Sequence, residues 1–486
     1  MPLSRTPFLA ASTLALSLMA SGCASVPDLG SPAALRTAET IAASESLPGA
    51  GSAWPGEDWW VGYDDPQLAG LIEEGLRNAP DVAAAAARLR RAAGLAQQAG
   101  GALLPSVDVR GQGGLNKQSY NNGLPKEFVP KGWLDTGQVV LDLNFDLDLW
   151  GKNRAALAAA TSEVRAAEID AQQARLMLTT SIADAYADLA RLHAERAIQQ
   201  RTLELRIATQ TLVAQREQNG LETRSSVRQA DATASSARAN VAAADEAIAL
   251  RQNQIAALIG AGPDRGLAMT APRLGALVAQ GLPSDVTTDL IGRRPDIAAA
   301  RARAEAAASR IKVARADFFP ALRLSGLIGF QALGLDQLLE KDALYGNVGP
   351  AISLPIFHGG SIKGQYRGAR ATYDEAVANY DAIVLDAYRD VADAVASRRI
   401  LTQRLVDVRA ALAASEDAYA IARQRYDGGL STYLDVLNIE DRLLAVRQAS
   451  ADLDARAFVL DVALIRALGG GFTITDAHFA KDNSHG

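Results

Sequence analysis

Residues 139–151 read VVLDLNFDLDLWG, and apolar and polar side chains alternate without a break from position 141 to position 149. A period of two is that of a β-strand, so one face of this segment is wholly apolar. The other face carries only acidic or amide side chains: Asp142, Asn144, Asp146 and Asp148. About 9–11 residues with this pattern are typical of a tilted strand that crosses a bilayer, with lipid on one side and water on the other.

Composition excludes several classes of protein. The chain has 486 residues, 21% of them charged and 49% hydrophobic, which indicates a folded protein with a large core. Its net charge of −6 argues against a nucleic-acid-binding protein, which would be basic. With one cysteine and four scattered histidines, we predict no metal site, no cofactor and no disulfide framework. Beyond residue 25 no apolar run approaches the ~18–20 residues of a membrane-spanning helix, so any crossing would be made by strands.

The N-terminus predicts export and a lipid anchor. Residues 1–22 have a short basic region at Arg5 and then an apolar stretch too short to span a membrane, as in a signal peptide. Residues 20–23 read ASGC and resemble the lipobox of bacterial lipoproteins, which implies that Cys23 is acylated. Ala24, in place of Asp, implies by the same resemblance an anchor in the outer membrane. A plain secretory signal with an incidental cysteine is the alternative.

The sequence repeats itself at a period of a little over 200 residues. Five short segments of the first half recur in order in the second half: 78–82, 103–105, 149–151, 219–221 and 257–260 correspond to 294–297, 318–320, 356–359, 428–430 and 467–469. Such order with little drift in spacing indicates a duplicated unit. We therefore predict a first repeat at 68–260, a linker at 261–283, a second repeat at 284–469 and a C-terminal tail at 470–486.

Each repeat contains one very long helix and one shorter return helix. Residues 152–218 and 361–427 contain no proline and almost no glycine, and a helix of either length would extend roughly 100 Å. The return helices, 223–259 and 432–468, carry apolar residues at seven-residue spacing, which indicates supercoiled packing. The turns between long and return helices are predicted at Asn219, Gly220, Gly428 and Gly429. Their glycines can supply the positive φ with which a helix often ends.

Four strands are predicted, two in each repeat: 105–115, 137–149, 320–330 and 347–357. Four strands cannot close a barrel, and open sheet edges are not tolerated in lipid, so the pattern predicts an oligomer. A trimer would give a twelve-stranded barrel wide enough for water. In such a barrel the polar side chains face the lumen: Asp108, Asp142, Asn144, Asp146 and Asp148. The alternative is a half-buried sheet in a soluble protein.

A series of short motifs runs through the chain: WW at 59–60, DP at 65–66, RRPDI at 293–297, FFP at 318–320, LPIF at 354–357, RYDGG at 425–429, YLDV at 433–436 and ALGGG at 467–471. In this order, over residues 23–472, they resemble the TolC-like outer-membrane efflux channels, and most closely the NodT/OprM-like lipoprotein subgroup. His358 is a departure, because Asp is common at that position of the family pattern.

The resemblance implies a mainly α-helical protein with membrane β-strands that assembles as a homotrimer. A twelve-stranded outer-membrane β-barrel would stand on a long periplasmic α-helical barrel, and the lipidated segment 23–67 would wrap its equatorial region. The implied partners are outer-membrane lipid, a periplasmic adaptor (membrane fusion) protein and an inner-membrane pump, usually of the RND type. Drugs or other small molecules would pass through this passive exit duct chemically unchanged.

The same resemblance implies a gate at the periplasmic ends of the long helices. In the family, charged and aromatic side chains near the two hairpins hold the tube closed until the adaptor engages. Arg425 and Tyr426 match that pattern directly, and Arg216 is the counterpart of Arg425 in the first repeat. Asp435 and Glu440 follow the second hairpin and complete the predicted gate. The alternative for each of these residues is an ordinary solvated charge at a helix end.

Two other functional classes compete with a channel. An enzyme would need a nucleophile–base pair, a metal cluster or a phosphate-binding glycine loop, and the sequence contains no GxSxG or HExxH motif. A lipid-anchored periplasmic coiled-coil adaptor or scaffold protein would explain the seven-residue repeats and the anchor. It would not explain four alternating strands placed symmetrically in both repeats, so we predict a channel that is not an enzyme.

Overall fold

The chain folds as two helix–strand–strand–helix repeats. The computed structural model describes residues 26–49, 51–121, 123–273 and 281–473. The first repeat contains α1 (Pro66–Asn78), α2 (Pro80–Gly101), β1 (Ser106–Asn116), β2 (Leu134–Asp146), α3 (Lys152–Gln218) and α4 (Arg224–Leu258). A short helix, α5 (Asp264–Leu267), precedes the second repeat, which contains α6 (Val286–Arg293), α7 (Pro295–Ala316), β3 (Ala321–Leu333), β4 (Leu344–Ser353), α8 (Ser361–Asp427) and α9 (Tyr433–Ala467). The predicted mainly helical fold with a duplicated unit and four strands is confirmed.

Equivalent helices of the two repeats have equal lengths. Helices α2 and α7 have 22 residues each, α3 and α8 have 67, and α4 and α9 have 35. Gly260 and Gly469 follow the two return helices with φ angles of 74° and 91°, and their α-carbons lie against the backbones of Asn78 and Arg293. A side chain at either glycine would collide with that backbone, so both repeats need glycine at this point. Within the described residues, no helix is both long enough and apolar enough to cross a membrane.

The chain divides into two compact units, each with its own packing. One unit, which includes residues 89–166 and 300–379, contains the sheet. The other, which includes 36–88, 167–299 and the chain from 380 onward, contains the main apolar core. In that core α1 contributes residues at helical spacing, and α3, α4 and α9 pack against them; the fully buried members include Leu68, Leu71, Ile72, Ile182, Tyr186, Leu189, Ile255 and Phe458. Burial of each large apolar side chain contributes about 1.5–3 kcal/mol to stability.

The four strands form one antiparallel sheet in the order β1-β2-β3-β4. Strand β2 ends at Asp146, so the structure contradicts the prediction that Asp148 is a strand residue facing the lumen. Asp148 has a φ of 42°, and its carboxylate accepts hydrogen bonds from the backbone N–H groups of Asn153 and Arg154 at 2.8 and 3.0 Å. These N–H groups belong to the first turn of α3 and have no partner inside the helix. The Asp148 side chain therefore caps the N-terminus of α3.

The two faces of the sheet differ sharply in character. Cross-strand pairing places Val109 opposite Leu141 and Leu141 opposite Ile328, and these three side chains are 71%, 43% and 56% exposed. On the opposite face Asp108 pairs with Asp142, which is 6% exposed. The period-two pattern of the sequence therefore produces an exposed apolar face and a separate polar face.

An extended N-terminal segment is held against the first turns of α8. The side chain of Arg370 donates hydrogen bonds to the carbonyls of Gly30 and Ser31, the former at 3.3 Å. The Tyr373 hydroxyl donates to the carbonyl of Ala33 at 3.0 Å. The predicted signal peptide, the acylation site Cys23 and most of the predicted C-terminal tail lie outside the described residues.

Candidate functional site

The two hairpins that join the long helices to their return helices have the same backbone structure. In the first hairpin Leu221 N–H donates to the Arg216 carbonyl at 2.8 Å, and Gly220 has a φ of 72°. In the second, Leu430 N–H donates to the Arg425 carbonyl at 2.8 Å. Gly429, with a φ of 76°, is the residue equivalent to Gly220. This arrangement satisfies the last carbonyls of a helix and needs a residue in the left-handed region, which glycine adopts without strain.

The other two predicted turn residues have lesser roles. Asn219 donates from its side-chain amide to the carbonyl of Gln215 at 2.9 Å, which adds a bond to the end of α3. Gly428 donates its backbone N–H to the carbonyl of Gln424 at 3.0 Å and does not have a positive φ.

Each hairpin also presents one exposed leucine at its turn. Leu221 is 68% exposed and Leu430 is 73% exposed, and the two occupy equivalent positions of the repeats. Single exposed apolar side chains are ordinary on a protein surface, and these two are notable only because they recur at the same position of both repeats.

Arg216 and Tyr426 connect the first hairpin to the second. Nη1 of Arg216 donates to the Tyr426 carbonyl at 3.0 Å, and its guanidinium carbon lies 4.6 Å from the centre of the Tyr426 ring. The Tyr426 hydroxyl in turn donates to Oε1 of Glu222 at 3.2 Å. Burial, together with the charge of Glu222, raises the pKa of Tyr426 to about 12, so this phenol stays a neutral donor at ordinary pH.

A small apolar cluster lies beneath this contact. Tyr426 is 3% exposed and packs with Tyr433, whose ring centre is 6.3 Å away. The remaining buried members come from α3, α4 and α9: Val213, Ala230, Val436 and Leu437. The cluster therefore joins both hairpins, and any separation of the hairpins would expose it.

The predicted gate residue Glu440 belongs to a buried ion pair that sequence reasoning missed. Nε of Arg206 on α3 lies 3.2 Å from Oε1 of Glu440 on α9, and the two side chains are 6% and 4% exposed. Nη2 of Arg206 also donates to Asp441 at 2.7 Å. Burial is the main cause that raises the pKa of Glu440, and Arg206 opposes it. The sequence held a signal for Arg206 alone, because Arg206 precedes the apolar Val213 by one heptad, a spacing that predicts a core position.

Arg425 and Asp435 take no part in the Arg216–Tyr426 contact. Asp435 forms a capping box at the start of α9, where its carboxylate accepts hydrogen bonds from Thr432 N and Thr432 Oγ1 at 2.9 and 2.8 Å. The backbone hydrogen bond from Thr432 is the main cause that lowers the pKa of Asp435. Arg425 is exposed and acts on Asp435 only through its charge.

The polar face of the sheet carries two ion pairs between neighbouring strands. Nε of Arg110 on β1 donates to Asp142 on β2 at 2.7 Å. Arg323 on β3 lies 3.6 Å from Asp146 on β2. Asn144 lies between these pairs on the same face, and Asp108 is paired there with Asp142. Four of the five predicted lumen residues therefore share one face, and Asp148 does not.

Within the described residues, no group of three or more His, Cys, Asp or Glu side chains could hold a metal ion. Hydrogen bonds, ion pairs and apolar packing join the two hairpins. Contacts of these kinds hold helices together, and breaking them lets the helices separate.

Comparisons with known proteins match most of the chain. A family model described as "Outer membrane efflux protein" matches residues 71–261 and 286–470. Fusaric acid resistance protein FusA of Burkholderia cepacia is 35% identical over 371 residues, which cover 75% of this chain and 69% of FusA. Multidrug resistance outer membrane protein MdtP of Shigella flexneri is 30% identical over 483 residues, covering 95% of this chain and 96% of MdtP.

A solved structure shows the same fold. The outer membrane protein VceC of Vibrio cholerae is 45% identical and superposes with a TM-score of 0.80, over 86% of this chain and 100% of VceC. The two segments matched by the family model each contain one of the two hairpins. The hairpins and the sheet are therefore parts of one shared architecture.

Proposed function

This chain belongs to the outer membrane efflux protein family, and we propose that it is the passive exit duct of a tripartite efflux system, through which drugs or other small molecules leave the cell chemically unchanged. The observation that carries the proposal is the sheet with two different faces. Val109 and Val348 are 71% and 74% exposed on the apolar face, while ion pairs occupy the opposite face. An exposed apolar face of this kind suits contact with lipid, and the polar face suits a water-filled lumen.

Three copies of the chain would close this sheet into a barrel. Among the described residues, the outer strands β1 and β4 each have one edge without a partner strand, and lipid does not tolerate unpaired edges. Helix α8 also exposes four large apolar residues that fall within an arc of about 120° at 100° per residue. They are 46–61% exposed and are Leu385, Ile400, Val406 and Ile421. Both features support a homotrimer with twelve strands and a helical barrel.

The hairpin turns would receive the partners that deliver substrate. Leu221 and Leu430 are exposed at equivalent positions, so three copies would present six such side chains. A periplasmic adaptor of the membrane fusion type, coupled to an inner-membrane pump of the RND type, is the partner that this surface would serve. The names of the relatives FusA and MdtP refer to resistance to fusaric acid and to multiple drugs, which supports small organic molecules as the exported class.

A lipid anchor would supplement the sheet in holding the protein in the outer membrane. Gly30 lies seven positions after the proposed acylation site Cys23, a span of at most about 25 Å for an extended chain. Gly30 is hydrogen-bonded to Arg370, which lies less than three turns into α8. Helix α8 follows strand β4 after a short connection, so an acyl chain on Cys23 could reach the membrane in which the sheet would lie.

Reconstitution tests the proposal directly. The purified protein should form discrete conductance steps in planar bilayers, and its mass in detergent should be that of three chains. In a bacterium that lacks its own exit channels, expression together with a periplasmic adaptor and an inner-membrane pump of the RND type should lower the accumulation of a fluorescent dye. A monomer that forms no pores would support a lipid-anchored adaptor or scaffold protein instead.

A further inference from the structure

The two loops that join the strands within each repeat carry opposite charge. Residues 117–133, the basic loop, join β1 to β2 and contain three lysines and one glutamate, a net charge of +2. Residues 334–343, the acidic loop, join β3 to β4 and contain three acidic residues and one lysine, a net charge of −2. All eight charged side chains are exposed: Lys117, Lys126, Glu127, Lys131, Asp336, Glu340, Lys341 and Asp342. In the part of the chain that the structure describes, no ion pair joins the two loops, so their charges are available to another molecule.

Both loops lie at the same end of the sheet and are held by hydrogen bonds. Helices precede β1 and β3 and follow β2 and β4, so the two loops occupy the end of the sheet away from those helices. In the basic loop the N–H of Gly132 donates to the Tyr120 hydroxyl at 3.2 Å. In the acidic loop the N–H of Leu335 donates to the carboxylate of Asp135 on β2 at 2.9 Å. Such bonds restrict each loop before it meets a partner, which lowers the ordering cost of binding.

The edge strands are poorly suited to select a pairing register by themselves. Strand β1 contains Gly111, Gly113 and Gly114, and β4 contains Gly346 and Gly349. Register is weakly specified in strands rich in glycine, and a shift by two residues leaves every side chain on its original face. Such a shift moves the strand ends by about 7 Å, which is more than the ~4 Å over which an ion pair forms. Contacts at the strand ends can therefore select a register that the edges do not.

We propose that the acidic loop of one copy binds the basic loop of the next copy, and that this contact fixes the register in which β4 joins β1 between copies. The inference rests on the proposed function, because only closure of the three sheets brings these edges together. The basic loop begins where β1 ends, and the acidic loop ends where β4 begins. Antiparallel pairing of the two edges therefore places the loops side by side, where their opposite charges attract. Phe128 and Leu339, each 78% exposed, supply apolar surface from the two loops for the same contact.

Two single variants make the same change in net charge with opposite expected effects. Lys126→Glu lowers the charge of the basic loop from +2 to 0, which should speed dissociation of the trimer in detergent. Lys341→Glu, the matched control, changes the charge of the acidic loop from −2 to −4 and should slow dissociation.

Reversal of a whole loop gives a larger effect that a second reversal should cancel. The basic-loop variant combines Lys117→Glu, Lys126→Glu and Lys131→Glu, and it should raise the dissociation rate at least ~10-fold. The exchanged variant adds Asp336→Lys, Glu340→Lys and Asp342→Lys. It should return the rate to that of the wild type, because the two loops again carry opposite charges.

Zero-length coupling with a carbodiimide, which joins an amine to a neighbouring carboxylate, tests the contact directly. Treated wild-type protein should give denatured bands at the mass of two or three chains. Mass spectrometry of these bands should find peptides that join the basic loop to the acidic loop, and the basic-loop variant should not form them.

Three outcomes would each refute the inference: equal dissociation rates for Lys126→Glu and Lys341→Glu, no recovery in the exchanged variant, or loop-to-loop cross-links confined to single chains. Lipopolysaccharide that stabilises the trimer through the three lysines, with no loop-to-loop cross-link, would refute it as well and would assign the basic loop to lipid. A wild-type protein that is monomeric and forms no pores would instead refute the proposed function.

Discussion

The guanidinium of Arg216 stacks on the ring of Tyr426, 4.6 Å from its centre, while Nη1 donates to the Tyr426 carbonyl at 3.0 Å. Arg216 of the first repeat thus contacts both the ring and the backbone carbonyl of Tyr426 in the second repeat. The equivalent residue of the second repeat, Arg425, is exposed and makes no corresponding contact. The duplicated sequence therefore supplies two arginines at one position, and the structure uses only one of them as a link between hairpins.

Loss of that link should open the tube. Arg216→Ala removes a hydrogen bond and a cation–π contact that together contribute about 1–3 kcal/mol at a partly buried site. We expect larger single-channel conductance and greater vancomycin sensitivity in cells that carry this variant, at unchanged protein abundance. Arg425→Ala is the matched control, because it removes the same charge one repeat later. Equal effects of the two variants would show that net charge at the hairpins matters and that the Arg216–Tyr426 contact does not.

The elevated pKa of Tyr426 predicts a pH dependence. The pKa rises from an ordinary value of 10.0 to about 12, mainly through burial and then through the charge of Glu222. The folded state holds this proton more tightly than the unfolded state, so the stabilisation is complete below pH 10 and is lost as pH rises toward 12. Between pH 10 and about 12, the thermal midpoint of the wild type should fall more steeply than that of Tyr426→Phe. Glu222→Gln should reduce the difference, and parallel curves for wild type and Tyr426→Phe would contradict the prediction.

The sequence predicts the strands and their two faces because the alternation of side chains is imposed by the strand itself. It does not predict where β2 ends, since the alternation continues to Leu149 while Asp148 already caps α3. The Arg206–Glu440 pair was missed for a different reason. Its partners are far apart in the sequence, and only the packing of α3 against α9 brings them together. Local periodicity predicts helices and strands, whereas the contacts between the two repeats depend on how those helices and strands pack in the tertiary structure.

Asp435 should behave as a helix cap. Its carboxylate and the hydroxyl of Thr432 bond each other's backbone N–H groups at the start of α9. Thr432→Ala should therefore destabilise the protein by about 0.5–2 kcal/mol, Asp435→Ala should also destabilise it, and the effect of the double variant should be less than additive. Urea unfolding of the four proteins measures this coupling. A large conductance change with Asp435→Ala but none with Thr432→Ala would assign Asp435 to the gate instead.

Acylation should depend on Cys23. The thiol is the only cysteine of the chain, and it follows the apolar segment within the ASGC sequence. Cells fed radiolabelled palmitate should label the wild type but not Cys23→Ser. The control variant Ser25→Ala, two residues away, should incorporate palmitate as the wild type does. It shows whether a substitution near Cys23 by itself impairs processing of the signal peptide. Equal labelling of Cys23→Ser and wild type would refute the lipoprotein assignment.

Ion selectivity should report the charge of the polar face of the sheet. That face carries Asp108, Asp142 and Asp146 against Arg110 and Arg323, a net charge of −1 per chain from three carboxylates and two guanidinium groups. A water-filled pore with low-dielectric walls concentrates this field, so we expect a mild cation preference that fades at high salt.

Asp108→Asn removes the net charge of that face without breaking either of its ion pairs, and it should abolish the preference. Asp135→Asn is the matched control, because Asp135 lies on β2 but on the opposite face from Asp142. Reversal potentials in a KCl gradient distinguish the two variants. We expect the wild type and Asp135→Asn to favour potassium equally, and Asp108→Asn to lie close to zero. An anion preference in the wild type would mean that the polar face does not line the conducting path, or that positive charge at the hairpins controls selectivity.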